Sequence, residues 1–219
     1  TEPDLCRRIN VQGPAAAAGW AARHGARVVF FSTDHVFDGA ATGAYSEEAE
    51  RHPLSVYASS KAEAEDAVRD AAPRAHLILR TGWVYGPDPQ RKNFILRLVE
   101  RLSAGDAVAV PSDQVGCPSF TDDIAAVTQF LLDAGATGTF HAVGPEAIDR
   151  VALAERVRAA FGVTTGTIVP TPTAALGQIA RRSLRVVLDC RKLAALGAPA
   201  FRGIDAGIET LRLWADHRA

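Results

Sequence analysis

The chain has 219 residues and a formal net charge of −1, because 24 Lys and Arg residues nearly balance 25 Asp and Glu residues. Such a balance gives no electrostatic reason to expect nucleic acid or an anionic membrane surface as a partner. The hydrophobic fraction of 47% is ordinary for a soluble protein. No apolar run approaches the roughly 18 residues of a membrane span, so we expect neither nucleic acid nor membrane as a partner.

Helical and strand patterns alternate along the chain. The first part of the chain is predicted to have a mostly helical stretch from Glu2 to His24 with Pro14 as a kink or a break, strand Arg27–Thr33, a loop from Asp38 to Pro53, a helix that carries Tyr57 and Lys61 and ends near Asp70, and strand His76–Thr81. The middle part is predicted to have helix Asn93–Ser103, strand Ala107–Val110, a helix from Thr121 to Gly135 and strand Thr139–Val143. The last part is predicted to have helix Asp149–Phe161, strand Thr167–Val169, a turn at Pro170–Thr173, and helical pieces near Leu188–Leu196 and Ile204–Asp216. Thr121 is expected to cap its helix. The alternation predicts an α/β fold, a doubly wound parallel sheet with a less regular carboxyl-terminal lobe.

Four polar residues in the first half of the chain carry the chemistry. Thr33 and Asp34 follow an apolar strand, so they should lie at the carboxyl end of a buried parallel strand, where such sheets bind ligands. Tyr57 and Lys61 are four residues apart and share one face of a helix. A free phenol has a pKa of about 10, and a nearby ammonium lowers it, so a hydroxyl, a phenol and an ammonium together can protonate a carbonyl oxygen.

This pattern predicts an oxidoreductase, although the residues alone leave a simpler alternative open. In that alternative Lys61 pairs with Glu65 one helical turn away, and Tyr57 is a half-buried aromatic residue. The segments around these residues decide between the two interpretations.

Four segments occur in the order and spacing of a known family: Ser32–Gly39 (STDHVFDG), Tyr57–Lys61 (YASSK), Arg80–Gly86 (RTGWVYG) and Asp113–Pro118 (DQVGCP). On these segments the chain resembles the extended short-chain dehydrogenase/reductases, and within them the dTDP-4-dehydrorhamnose reductase branch. Ile9–Gly13 (INVQG) and Leu188–Leu193 (LDCRKL) fit the same branch more loosely. The resemblance covers nearly the whole chain.

The resemblance implies that NADPH or NADH delivers a hydride to the C4 ketone of a nucleotide-linked deoxysugar. Tyr57 would donate the proton, Lys61 would lower the pKa of Tyr57 and hold the nicotinamide ribose, and Thr33 would hydrogen-bond the substrate oxygen. Ser32 would also lie at the cofactor. Residues 1–144 would then be a partial NAD(P)-binding, Rossmann-like domain that carries the catalytic residues, and 145–219 a substrate-binding lobe.

The resemblance places four more side chains near the substrate, each with a plainer alternative. Asp34 would neighbour the site or cap the strand end, and Trp83 would contact the sugar or fill the core. Gln114 would shape a substrate loop, or it could, like Asp113, form a turn. Arg182 would contact a phosphate or remain a solvated surface residue.

Three departures from the family pattern limit the inference. His35 stands where the family most often has tyrosine, and the segment after Arg182 lacks the family's proline and serine. No G-x-x-G-x-x-G or G-x-G-x-x-G motif occurs in the 219 residues, although the family uses that glycine loop to bind the cofactor pyrophosphate. With no methionine and a helix-like start, we expect an amino-terminally truncated domain that is inactive by itself.

Two other functions of the same family stay open. One is a non-catalytic, partner-binding regulatory subunit, favoured by the missing glycine loop; the other is a nucleotide-sugar epimerase or dehydratase. A homodimer is possible. Cys6, Cys117 and Cys190 form an odd, scattered set that favours a reduced, cytoplasmic setting, and the histidines never fall at metal-ligand spacing, so no metal is predicted.

Overall fold

The computed structural model describes residues 2–217 and has the mixed α/β architecture predicted from the sequence. Its helices are α1 Pro3–Arg7, α2 Gly13–Arg23, α3 Val56–Ala71, α4 Phe94–Ser103, α5 Thr121–Asp133, α6 Arg150–Ala160, α7 Arg191–Ala195 and α8 Ile204–Asp216. Its strands are β1 Val28–Thr33, β2 His76–Thr81, β3 Val84–Tyr85, β4 Ala107–Pro111, β5 Val115–Gly116, β6 Ser119–Phe120, β7 Gly138–His141, β8 Ile148–Asp149 and β9 Thr167–Thr171. No helix in this part of the chain is long and apolar enough to cross a membrane.

The central sheet is parallel, with the strand order β1–β2–β7. Thr33 lies opposite Thr81, and Arg80 lies opposite His141, so the carboxyl ends of all three strands meet at one edge. The connection from β1 to β2 contains α3, and the connection from β2 to β7 contains α4 and α5, so both are of the crossover kind that parallel strands require. The register therefore brings the motif residues at the ends of β1 and β2 to the same edge of the sheet.

Both faces of this sheet are covered by helices, which confirms the predicted doubly wound fold. Successive side chains of a strand point to opposite faces. Ile78 of β2 packs with Val68 of α3 and with α2, whereas Leu77 and Leu79 pack on the other face with Leu131 of α5 and with α7. Because β2 is buried on both faces, its sequence is a nearly continuous apolar run.

The amino-terminal helical stretch does not break at Pro14. Proline has no N–H for the carbonyl four residues earlier, and the residues Arg8–Gln12 just before it form a π-helical turn. Arg8, Gln12 and Gly13 all keep right-handed helical dihedral angles. The prediction of a break is therefore wrong, because the π-helical turn accommodates Pro14 within continuous helical structure, whereas the alternative of a kink stays a prediction.

A second core lies beside the sheet, between α4, α6 and α8. It buries Leu98, Leu102, Leu153 and Leu211, and the parallel pair β4–β9 borders it. This core takes residues from both sides of position 144, and the domain boundary predicted there stays a prediction. Strand β9 extends into the predicted turn as far as Thr171, since an edge position such as Pro170 tolerates a residue without an N–H.

Thr121 does not cap α5, contrary to the sequence prediction. Phe120 is the residue that precedes the helix, and no side chain caps it. The Thr121 side chain is instead packed against Gly86, where a Cβ atom would collide with it. Asp149 does cap α6 as predicted, because its carboxylate accepts a hydrogen bond of 2.8 Å from the Ala152 amide.

Candidate active site

Thr33 and Tyr57 meet at the carboxyl end of β1. Ser55 accepts a hydrogen bond from the Ala58 amide and so starts α3 with Tyr57 in its first turn. Thr33 is buried, whereas Tyr57 is 47% exposed. Burial raises the pKa of Tyr57; the Thr33 hydroxyl, as a hydrogen-bond partner, lowers it, and the charge of Asp34 raises it further. The phenol is thus half-exposed and open to a ligand, next to a buried hydroxyl that acts on its pKa.

Lys61 lies one helical turn further along α3 and is directed at the sheet edge. Its ammonium donates to the Phe31 carbonyl oxygen at 2.5 Å and lies 3.9 Å from the centre of the Phe30 ring. Among the described residues Glu65 pairs with arginines instead, so the alternative Lys61–Glu65 ion pair is wrong. The predicted lowering of the Tyr57 pKa by Lys61 stays a prediction; in this structure burial dominates and raises the pKa of the phenol, and the Phe31 carbonyl holds the ammonium.

Ser32 points away from Thr33 and Tyr57. Because side chains alternate along a strand, its hydroxyl lies on the opposite face of β1 and donates to Glu65 Oε1 at 2.5 Å. Its side chain is therefore not brought to the candidate site. The predicted cofactor contact of Ser32 stays a prediction, and it would have to be made by the main chain.

Asp34 is a buried neighbour of the Thr33 hydroxyl. Thr33 Oγ1 donates to Asp34 Oδ1 at 3.0 Å, and it accepts from the amide of His35 at 3.2 Å. A Cβ atom on Gly82 would lie 2.7 Å from Asp34 Oδ2, so only glycine lets the carboxyl group fit there. Burial raises the pKa of Asp34, and the opposing effects of His35, Thr33 and Arg150 do not cancel it.

Trp83 lies between β2 and β3 with a backbone φ of 41°, in the left-handed region that non-glycine residues rarely adopt. Its indole covers Gly116, where a Cβ atom would collide with the ring. The guanidinium carbon of Arg150 lies 3.4 Å from the centre of the Trp83 ring and 4.6 Å from that of Phe94. The strained backbone and the missing Cβ together hold the indole against a cation, a geometry found at functional sites.

Arg150 is the main site residue that the sequence analysis missed. Burial lowers its pKa to about 10, although the charge of Asp34 opposes the shift; Arg182 also acts to lower it. A cation in the first turn of α6 is unfavourable because it opposes the helix dipole. This unfavourable position was the one feature of the sequence that could have marked Arg150 as a site residue. Its aromatic partners come from distant segments, so no local pattern could place it between them.

A cavity of about 610 Å³ opens beside Arg150, and its charged lining is entirely basic. The basic residues are Lys92, Arg97, Arg101, Arg150 and Arg182; Phe94, Leu98, Val108, Pro111 and Leu176 are among its apolar lining. Arg182 lines it, and its Nε donates to Gln178 Oε1 at 2.8 Å; its predicted phosphate contact stays a prediction. Such a lining suits an anion that carries an apolar or aromatic group.

Gln114 also lines this cavity, and together with Asp113 it positions the segment Thr173–Leu176. Gln114 Nε2 donates to Thr173 Oγ1 at 3.0 Å, and that hydroxyl donates to Asp113 Oδ1 at 2.6 Å. The Asp113 carboxylate also accepts from the Thr173 amide. These contacts hold the short helical turn Thr173–Leu176 over the cavity. Within residues 2–217 no group of three or more His, Cys, Asp or Glu residues could hold a metal ion.

Comparison with known proteins gives a consistent result. The family described as "RmlD substrate binding domain" matches residues 1–211. The dTDP-4-dehydrorhamnose reductase of Sinorhizobium fredii is 35% identical over 210 residues, which cover 88% of this chain and 68% of that protein. The dTDP-4-dehydrorhamnose reductase of Mycobacterium tuberculosis is 36% identical over 200 residues, covering 89% of this chain and 65% of that protein.

Solved structures agree with the fold. The crystal structure of a dTDP-4-dehydrorhamnose reductase from Clostridium acetobutylicum has 30% sequence identity and a TM-score of 0.89, and the match covers 99% of this chain and 74% of that one. The enzyme of the same name from Bacillus anthracis, solved in complex with NADP, has a TM-score of 0.91 at 24% identity, over 97% and 74% of the two chains. The chain spans 64–68% of the length of the first curated relatives.

Proposed function

The chain belongs to the RmlD substrate-binding domain family, and we propose that it carries the catalytic and substrate-binding residues of a reductase. The reaction is reduction of the 4-keto group of a nucleotide-linked deoxysugar, with NADPH or NADH as hydride donor. One observation carries the proposal: Arg150 lines the basic cavity and also acts electrostatically on Asp34, so the cavity and the end of β1 are near enough to take two parts of one substrate.

The basic cavity would hold the nucleoside diphosphate part of the substrate. Arginine donors pair well with phosphate oxygens, and five cations with no acidic residue in the lining favour a doubly charged diphosphate. The apolar part of the lining, including Phe94, suits the base. Trp83 stacks on Arg150, which lines this cavity, and would contact the sugar.

The nicotinamide cofactor supplies the hydride when it is bound, and Tyr57 and Lys61 would hold its ribose end. An ammonium has three donors, and the Phe31 carbonyl takes one of them. Lys61 therefore has donors to offer a pair of ribose hydroxyls, and the half-exposed rings of Phe31 and Tyr57 leave that side open to a ligand. This donor set fits a ribose diol.

Tyr57 would donate a proton to the substrate oxygen as the ketone becomes an alcohol. Its phenol is exposed enough to meet the substrate, and its contact with Thr33 orients it toward the end of β1. The cation of Lys61 and the hydroxyl of Thr33 would favour the phenolate that remains.

Titration calorimetry with NADPH and NADH tests the proposal, on this chain and on a form extended upstream. Binding by the extended form, followed by reduction of a dTDP-4-keto-6-deoxysugar, would support it. A folded extended form that binds neither nucleotide would contradict it and favour the partner-binding alternative.

Replacing Tyr57 by Phe removes only the phenolic hydroxyl, and we expect turnover to fall about 10²–10⁴-fold, the usual contribution of a positioned proton donor. Cofactor oxidation under saturating substrate is the measurement. Tyr45→Phe is the matched control, since its hydroxyl bonds Asp38 in a different part of the fold. Turnover of Tyr57→Phe near that of the wild type would show that another group donates the proton.

A further inference from the structure

The side chain of Arg150 has hydrogen-bond donors that the protein does not use. A guanidinium has five N–H donors, and in Arg150 none of them forms a hydrogen bond or an ion pair with residues 2–217. Its neighbours are the rings of Trp83 and Phe94, whose centres lie 3.4 Å and 4.6 Å from the guanidinium carbon. No buried side-chain nitrogen or oxygen in this part of the chain lacks a partner, so these donors are accessible, and they face the cavity that Arg150 lines.

Separate segments of the chain fix the guanidinium between the two rings. Trp83 lies in the turn between β2 and β3, with its backbone in the left-handed region at a φ of 41°. Phe94 begins α4, whose first turn is capped by the Asn93 side chain. Arg150 begins α6, and its own amide donates to the Gln114 carbonyl oxygen at 3.0 Å. The guanidinium is therefore ordered before any ligand binds, which lowers the entropic cost of binding.

The other four cations of the cavity differ from Arg150 in their exposure to solvent. Lys92, Arg97, Arg101 and Arg182 are exposed, whereas Arg150 is partly buried. Water and salt screen an exposed charge, so each of these four contributes little to the binding of an anion. A charge that aromatic rings shield from water interacts more strongly with an anion. Anion binding in this cavity should therefore depend on Arg150 far more than on any of the other four.

We propose that Arg150 is the specificity residue that binds the diphosphate of the substrate, and that Trp83 and Phe94 are positioning residues that hold its guanidinium toward the cavity. This inference rests on the proposed function, to which it adds the group that distinguishes a diphosphate-linked sugar from a free sugar. A planar guanidinium can donate two parallel hydrogen bonds to phosphate oxygens, which a lysine ammonium cannot do. In the structural alternative, Arg150 only joins the two rings and binds no anion.

The first test adds inorganic pyrophosphate or dTDP to this chain, without cofactor. The chain has three tryptophans, and Trp20→Phe with Trp214→Phe leaves Trp83 as the only indole that emits. We expect both ligands to bind in titration calorimetry and to change the Trp83 emission, because they contact the guanidinium stacked on that ring. A folded chain that binds neither ligand would overturn the proposal. Binding that leaves the Trp83 emission unchanged would also overturn it, since the anion would then lie elsewhere.

The second test compares variants of the cations in the same titrations, with thermal unfolding as the check that each variant is folded. Arg150→Gln should weaken pyrophosphate binding about 10²-fold, as is usual when one partner of a buried charge pair is removed. Arg97→Gln, an exposed cation of the same cavity, should weaken it less than about fivefold. Arg150→Lys keeps the charge but should recover little of the loss. Equal losses in Arg150→Gln and Arg97→Gln, or full binding by Arg150→Lys, would contradict the proposal, because net charge alone would then bind the anion.

The third test asks whether the Phe94 ring acts through Arg150. Phe94→Leu removes the ring but keeps an apolar side chain, and it should weaken pyrophosphate binding about tenfold, whereas Phe94→Tyr keeps the ring and should bind like the wild type. In the Arg150→Gln background, Phe94→Leu should have no further effect. The same loss in both backgrounds would show that the ring does not position Arg150.

The last test is turnover of a dTDP-4-keto-6-deoxysugar by the upstream-extended form. Arg150→Gln should raise KM about 10²-fold with little change in kcat, because the diphosphate is bound equally in the ground state and the transition state. A wild-type KM in Arg150→Gln would overturn the role of Arg150 and leave the proposed function standing. Pyrophosphate binding through Arg150, in a protein whose extended form reduces no keto sugar, would reject the proposed function instead and support Arg150 as a diphosphate-binding residue.

Discussion

Two buried carboxyl groups lie near the carboxyl end of β1, and their surroundings are opposite. Glu65 is fully buried, and its carboxylate accepts from Arg80 Nε at 2.9 Å, Arg80 Nη2 at 2.8 Å, Ser32 at 2.5 Å and Arg51 at 3.2 Å. Asp34 is almost as buried, but it has only the Thr33 hydroxyl at 3.0 Å and the backbone amide of His35 as donors, together with the charges of His35 and Arg150. The first group is saturated with donors, and the second is not.

This difference decides which protonation state each group prefers. Burial acts to raise both pKa values. At Glu65 the hydrogen bonds and charge of Arg80, with help from Ser32 and Arg51, outweigh burial, so its pKa falls. At Asp34 burial dominates and the pKa rises. A saturated buried carboxylate fixes structure, whereas an undersaturated one can exchange a proton.

Glu65 in its saturated state joins several elements beneath the site. Arg80 of β2 also donates to the Glu47 carbonyl at 3.0 Å and lies 3.3 Å from His141 of β7. Burial and the Arg80 charge lower the pKa of His141 to about 4, so this histidine is neutral near pH 7. The network therefore fixes α3, and with it Tyr57 and Lys61, against the sheet.

The largest effect should come from breaking the Glu65 pair on one side. Arg80→Met removes the two-bond arginine partner of Glu65 and leaves the buried carboxylate only Arg51 and Ser32. We expect a loss of up to about 3–5 kcal/mol in the free energy of unfolding, measured by urea denaturation. Arg69→Met is the control, because its pair with Asp66 is exposed and worth about 0–1 kcal/mol. The double variant Arg80→Met with Glu65→Leu should recover most of the loss. Equal losses in Arg80→Met and Arg69→Met would show that the buried pair is not the stabilising one.

A smaller loss should follow removal of one neutral donor to Glu65. Ser32→Ala leaves one lone pair of a buried carboxylate without its donor, and hydrogen bonds to charged groups contribute about 1.5–3 kcal/mol. Thermal unfolding of this variant, next to Ser59→Ala on α3, is the comparison. If Ser32→Ala lowered the unfolding temperature no more than Ser59→Ala does, the hydrogen bond from Ser32 would not help to stabilise the Glu65 carboxylate.

The sequence predicted the fold, the strand-end position of Thr33 and the shared helix of Tyr57 and Lys61, because all of these depend on local signals. Continuous apolar runs gave β1 and β2, and the spacing of Tyr57 and Lys61 placed them on one helical face. The predicted position of Thr33 at a strand end is where the structure places it. Two local predictions were wrong. Thr121 does not cap its helix, because its side chain packs against Gly86. The helix does not break at Pro14, because a π-helical turn accommodates the proline.

The electrostatics of the site could not be predicted, because they depend on contacts between distant segments. Glu65 was paired with Lys61 in the local interpretation, but Arg80 and Arg51 reach it from other elements and bind it better. Arg150 is positioned by two aromatic rings that lie far from it in the chain. Helical spacing brought Lys61 near Glu65 but could not reveal these competitors.

The smallest expected change in the free energy of unfolding is a gain in stability, not a loss. At neutral pH the ionised form of Asp34 is disfavoured in the folded protein, so Asp34→Asn should raise the free energy of unfolding, by about 1 kcal/mol, whereas Glu65→Gln should lower it. Because the pKa of Asp34 is raised on folding, wild-type stability falls as pH rises from 3.8 through the folded pKa, and the advantage of Asp34→Asn should grow over that range.

Glu65 behaves in the reverse way, since its pKa is lowered on folding. Its contribution is present above 4.5 and is lost as pH falls through the lower folded value. Urea denaturation of the wild type, Asp34→Asn and Glu65→Gln across this pH range measures both trends. If Asp34→Asn were destabilising at every pH, Asp34 would be a second saturated carboxylate, and the contrast with Glu65 would be wrong.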